Sequence, residues 1–324
     1  MAGFSLPGAP MRAIFLGTPQ FAVPTLDRLI AAGHQVPLVV TQPDRPKGRG
    51  NSLAMPPVKQ AALRHGIEVF QPERVKRPES VEKLRSLAPE IMVIVGYGQI
   101  IPQSILDIAP LGILNVHASL LPRYRGAAPI QWAIANGESS TGVTIMKIDA
   151  GLDTGDILRK AETPIGEDET AVELSPRLAG MGASLLVETL AQLDSIMPEK
   201  QDDSAATYAP ILKKEDGAID WNRPAREIHN RIRGLQPWPG PHSSFRGQTL
   251  HIWQTAVIAG QRPTPQDPPG TLLLDRRHLY ATAGDGLFLE LREVQLEGRK
   301  RLPGDVFANG VRLDAHEVLG ESKN

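Results

Sequence analysis

Three short apolar runs govern what the first third of this chain can become: RAIFLG at residues 12–17, VPLVVT at 36–41 and IMVIV at 91–95. Unbroken apolar runs of this length are what a strand looks like when both faces of its sheet are covered. Behind the first run, Phe21, Val23, Leu26, Leu29 and Ile30 recur at helical spacing until Gly33 stops them, and residues 57–65 form a second helix-like stretch. Strands alternating with helices predict a parallel sheet with helices on both faces. Ligands of such sheets bind beyond the carboxyl ends of the strands, so the loops there are where chemistry is expected.

Residues 111–129, LGILNVHASLLPRYRGAAP, set Asn115 and His117 two apart inside an apolar run. In a strand, positions i and i+2 share a face, so the amide and the imidazole stand side by side while Leu114 and Val116 point the other way. An amide donor beside an imidazole suits acyl-type transfer, in which one group stabilises an oxyanion and the other manages a proton. A third polar group is needed to orient them. The next strand-like run, residues 142–148, leads into a glycine-punctuated loop carrying Asp149, Asp153 and Asp156, one of which can meet the imidazole.

Composition narrows the remaining classes. With 324 residues the chain has room for two domains. From Thr170 an amphipathic stretch with Leu174, Leu178, Leu185, Leu186, Leu190 and Leu193 predicts a helix closing the first domain, residues 11–197. Residues 198–218 are polar, broken by Pro198 and Pro210, and read as a linker. Over residues 219–320 the texture changes to short β-like runs at 249–253, 270–274 and 286–291, which suggest a small barrel. There is no cysteine, so disulfides, thiolate zinc sites and cysteine nucleophiles are excluded. The start of the chain does not read as a secretory signal and no apolar run is long enough to span a membrane, which makes a cytoplasmic location the expectation. A net charge of -1 is not the footprint of a general nucleic-acid binder, so any RNA contact must come from local clusters. Gly96 and Gly98 open a GxGxxG-like pattern, yet position 101 is Ile and no P-loop is present, which argues against nicotinamide and nucleoside triphosphate chemistry. His65, His229, His242 and His251 lack metal-ligand spacing, and no metal is expected.

Four blocks then carry a resemblance: IFLGTPQFAVP from Ile14, QPDRPKGRG from Gln42, NVHASLLPRYRGAAPIQ from Asn115 and TGVTIMKIDAGLDTGDIL from Thr141. Together, from Met11 to about Leu319, the chain resembles the formyltransferase family that uses 10-formyltetrahydrofolate. The resemblance implies a Rossmann-like α/β catalytic domain followed by an OB-like β-barrel domain that binds tRNA. It implies transfer of the formyl group of 10-formyltetrahydrofolate to the α-amine of initiator methionyl-tRNA, by a monomer. It makes Asn115, His117 and Asp153 the catalytic set. Ser119, Leu120, Leu121 and Pro122 become part of the folate cleft, and Tyr97, Gly98, Gln99 and Ile100 line the pterin pocket through their backbone. Arg45, Lys47 and Arg49 of the basic loop would grip phosphates near the tRNA acceptor end. Family members begin near the position of Met11, so residues 1–10 read as a variable extension, an alternative start or an expression remnant.

Other basic groups stay open at this point: Arg123 and Arg125 could serve folate, RNA or only the surface, while Arg231, Arg233 and Arg299-Lys300-Arg301 are candidates for a positive track. Trp238 reads as core or turn packing. Other acceptors are compatible with the same catalytic set: a sugar nucleotide, glycinamide ribonucleotide, or water. A non-catalytic RNA-binding protein is the reading from a different class, and an intact Asn115, His117 and Asp153 set speaks against it.

Overall fold

The computed structural model describes residues 9–47, 52–258, 267–315 and 317–320. Arg49 of the basic loop lies outside them. By internal contacts the chain divides into two units: residues 1–127, 141–163 and 175–209 form the first, and 128–140, 164–174 and 210–324 the second.

The first unit is built on a seven-stranded sheet. Its strands are β1 (Arg12–Gly17), β2 (Gln35–Val40), β3 (Glu68–Phe70), β4 (Ile91–Val95), β5 (Ile113–His117), β6 (Ser140–Lys147) and β7 (Ile157–Pro164), in the spatial order β7-β6-β5-β4-β1-β2-β3. The strands from β1 to β5 pair in parallel, and the predicted apolar runs are the central ones. Helices α1 (Val23–Ala31), α2 (Pro57–Arg64) and α3 (Pro78–Ser86) each carry proline in the first turn, where its fixed φ suits the helix and its missing N–H is not needed. The short α4 (Gln103–Leu106) follows β4.

The parallel order is broken at β6, which runs antiparallel to β5, with His117 opposite Thr144. A connection long enough to hold a helix can return in either direction, so the sequence did not fix this. The edge strand β7 alternates buried and exposed positions and carries charge, which is why it lacks the apolar signature of its neighbours. Thr170 does open the expected long helix, α6 (Ala171–Ala191). Its Gly182 lies so close to the sheet that a Cβ there would stand 2.6 Å from Val116 Cγ1 and 3.1 Å from Val143 Cγ1. Val116 thus faces α6, leaving the opposite face of β5 to Asn115 and His117.

In the second unit, α5 (Pro129–Ala135) packs against α7 (Ala225–Gly234), where a Cβ on Gly234 would sit 2.7 Å from the Ala135 nitrogen. The OB-like part is a curled antiparallel sheet ordered β8-β9-β12-β11-β10, made from β8 (His242–Phe245), β9 (Gln248–Ile258), β10 (Leu272–Asp275), β11 (His278–Thr282) and β12 (Phe288–Leu296). Register shifts near Gln254 let the long β9 bend against β12. Ala225, Ile228 and Ile232 of α7 and Phe307 of α8 (Gly304–Val311) cover its core with Leu250, Ile252 and Leu289.

Candidate active site

The carboxyl ends of β4 and β5 are neighbours, since Ile94 pairs with Asn115, and the loops that follow them lie on one sheet edge. Asn115 and His117 are 8% and 6% exposed on the shared face. His117 Nε2 lies 2.9 Å from the Tyr124 carbonyl. A carbonyl can only accept, so Nε2 carries the proton and Nδ1 is the ring edge left for chemistry. Nδ1 faces Asp153 Oδ2 at 3.7 Å, an ion-pair distance too long for a direct hydrogen bond. Of the three carboxylates in the loop, Asp153 is therefore the one brought to the imidazole. Asp149 is spent on its own loop, accepting from Gly151 N at 3.0 Å and Thr154 Oγ1 at 2.7 Å.

Asp153 is held in a left-handed backbone conformation, φ 52°, and its carboxylate accepts from Gly126 N at 2.8 Å. Gly155 has to be glycine, because a Cβ would collide with the Lys147 carbonyl. The turn after β5 is fixed from inside: Ser119 Oγ donates to the Arg123 carbonyl at 2.6 Å, and Thr144 Oγ1 donates to the Ser119 carbonyl at 2.7 Å while accepting from Leu121 N at 3.1 Å. Ser119 and Leu121 are buried, and Leu121 packs with Met146 and Ile157, so these side chains support the turn. The peptide bond between Leu121 and Pro122 is cis.

In the loop after β4, Gly96 and Gly98 take positive φ, 57° and 84°. Tyr97 points into the sheet's core cluster, and burial pushes its hydroxyl well above the usual tyrosine range. Its carbonyl accepts from Thr18 Oγ1 at 3.1 Å and from Gln42 Nε2 at 3.0 Å. The Gln99 side chain accepts from Val75 N at 2.8 Å, while Ile100 is 90% exposed. The side chains of Tyr97 and Gln99 are thus committed to the scaffold, which leaves backbone and Ile100 to face a ligand. Gln42 and Thr144 lie within two of the four blocks, but nothing singled them out there, since one polar residue in a loop or strand has many possible neighbours.

The basic residues separate. Arg45–Lys47 pairs with Ser52–Ala54 as a hairpin, and Arg45 is exposed with a 3.4 Å contact to Glu73. Arg125, one of the open candidates, is 2% exposed and so is not a surface group. Arg233 is also buried, donating to the Gly166 and Glu169 carbonyls at 3.2 and 3.0 Å and to Asn230 Oδ1, which removes it from any positive track. Arg231 donates to the Asp216 carbonyl at 2.9 Å. Arg301 lies over the Trp253 ring, 3.9 Å from its centre. Trp238 is 56% exposed, so it is a turn residue and not core.

A covered, largely parallel sheet that brings an amide, an imidazole and a carboxylate together at one edge has the groups that acyl-type transfer needs, and comparison with known proteins gives the class. The family model described as formyl transferase matches residues 11–190, and that described as formyl transferase, C-terminal domain, matches residues 211–312. The methionyl-tRNA formyltransferase of Solibacter usitatus is 62% identical over 313 residues, covering 96% of this chain and 99% of that protein. Among solved structures, an N-formyltransferase from Helicobacter canadensis in complex with folinic acid and dTDP-3-aminofucose superposes with a TM-score of 0.66 at 19% identity, covering 87% of this chain and 98% of that one. A methionyl-tRNA formyltransferase from Clostridium thermocellum gives a TM-score of 0.53 at 19% identity, over 78% and 95% of the two chains. The chain belongs to the methionyl-tRNA formyltransferase family.

Proposed function

We propose that this enzyme transfers the formyl group of 10-formyltetrahydrofolate to the α-amine of initiator methionyl-tRNA, as a cytoplasmic monomer, with Asn115, His117 and Asp153 as its catalytic residues. The observation that carries the assignment is their convergence at the end of β5, with His117 Nδ1 turned toward Asp153. The amine attacks the formyl carbon, a C–N bond forms, and the carbonyl electron pair moves onto oxygen. The Asn115 amide, which makes no hydrogen bond to any described residue, donates to that oxyanion together with Nδ1–H of protonated His117. Asp153 balances the imidazolium and takes the proton lost by the attacking amine. Collapse re-forms the carbonyl and breaks the bond to the folate nitrogen, which takes up the proton held by Asp153 and leaves as tetrahydrofolate.

The glycines at 96 and 98 and the turn at residues 119–122 supply a backbone-lined edge for the flat ring of the donor. Arg45 and its basic loop take the acceptor-end phosphates, and residues 219–320 take the body of the tRNA. Formyl transfer from 10-formyltetrahydrofolate to initiator methionyl-tRNA, run beside elongator methionyl-tRNA, glycinamide ribonucleotide, a sugar nucleotide and water, tests the reading. Transfer confined to the initiator species supports it, and transfer to another acceptor overturns it. Asp153→Asn should remove most turnover while leaving folate affinity nearly intact, and a fully active variant would refute the role given to Asp153.

A further inference from the structure

Residues 198–209, polar and proline-flanked, belong by their contacts to the first unit, and their hydrogen bonds reach the loop that carries Asp153. Gln201 Nε2 donates to the carbonyls of Asp153 and Gly155, both at 2.8 Å. Its Oε1 accepts from Arg125 Nε at 3.0 Å and from Nη2 at 2.8 Å. A guanidinium has only donors and a backbone carbonyl only accepts, so the amide can face one way alone. All four of its bonding positions are then in use. Arg125 is itself buried, its Nη2 also donating to Asp203 Oδ1 at 2.8 Å, and its backbone is fixed by the parallel pairing of Arg125–Gly126 with Tyr208–Ala209. The anchor, the amide and the loop therefore form a continuous chain of bonds ending on the residue after Leu152.

Asp153 needs such a hold. A non-glycine residue at φ 52° sits in a sparsely populated region, and it stays there only when its surroundings determine it. Gly126 N fixes the carboxylate and Gln201 fixes the backbone beneath it. We propose that Gln201, anchored on Arg125, is a positioning residue for the catalytic carboxylate, so that the segment after α6 is a working part of the active site although it carries no reacting group. This rests on the assignment of Asp153 to the proton transfer.

Gln201→Glu separates the two edges of the side chain. It keeps an acceptor toward Arg125 and gains a charge pair there, but turns an acceptor toward two carbonyls that need donors. The expected result is a kcat lowered about 10- to 100-fold, the scale of an ångström's misplacement of a catalytic group, with the KM for 10-formyltetrahydrofolate changed by less than about twofold. In an Asp153→Asn background the same substitution should change the residual single-turnover rate by less than about twofold, because the residue acts through Asp153. Should Gln201→Glu fail to fold, Gln201→Met, which fills the volume without hydrogen bonds, is expected to show the same kcat loss. Unchanged kcat in either folded variant, or an undiminished loss in the Asp153→Asn background, would overturn the positioning role alone. A fully active Asp153→Asn enzyme would instead bring down the assignment of Asp153, and this inference with it.

Discussion

Asn115 and His117 share a face because side chains alternate along a strand, and that much is legible in five letters of sequence. Spacing alone does not say which carboxylate joins them: Asp149, Asp153 and Asp156 stand in one loop, the resemblance names Asp153, and in the structure Asp149 is bonded within the loop while Asp153 faces the imidazole. Asn115→Ala is expected to lower kcat by about 10²- to 10³-fold, the usual effect of deleting an oxyanion donor, with a small change in donor KM. Steady-state kinetics with varied folate check it, and a rise in KM at constant kcat would assign Asn115 to binding instead. Gly126 is a second residue whose neighbours settle its role: φ is 114°, and a Cβ would stand 2.7 Å from the Ala209 carbonyl. Gly126→Ala should cost on the order of 1–3 kcal/mol of stability and also release the N–H that holds Asp153. Calorimetry and turnover should fall together, and a variant with wild-type Tm would show the strain to be absent.

Among the elements, the basic hairpin and α7 look alike in the sequence, each offering arginines that could meet RNA, and the structure separates them by burial. Arg45 is about two-thirds exposed, and an exposed ion pair such as that with Glu73 holds it only weakly. Arg45→Ala should therefore raise the KM for tRNA and reduce the slope of its dependence on salt by about one counterion, with little effect on folate. Unchanged tRNA kinetics would remove the hairpin from the interface. Arg233, in the last turn of α7, holds two carbonyls of residues 166–169 and the Asn230 amide. Its removal leaves the buried Asn230 Oδ1 without these donors, at about 1–3 kcal/mol, so Arg233→Ala should lower the Tm while the salt slope for tRNA stays as it was. A stable Arg233→Ala protein with a reduced slope would reverse this placement.

For the whole molecule, three histidines give an acid-side signature. Burial pushes His34, His229 and His251 below the ordinary value of 6.5, with Arg233 adding to the effect at His229 and His242 at His251. The fold holds them neutral, and the unfolded chain takes up protons first as the pH drops. Their contribution to stability is accordingly full above about pH 6.5 and declines below it. The Tm should be flat from pH 8 to 7 and fall as the pH goes from 6.5 toward 5, and a level Tm across that lower range would refute the effect. The sequence by itself determined the covered central strands, the pairing of Asn115 with His117, the long α6 and the β-rich texture near the end of the chain, because each is a periodicity or spacing that local backbone geometry enforces. Only the tertiary structure decided that β6 runs against β5, that α5 packs with α7, that Arg125 and Arg233 are buried, and that Gln201 grips the Asp153 loop. Those outcomes depend on partners dozens of residues away, and a hydrogen bond between distant segments leaves no periodic trace in either one.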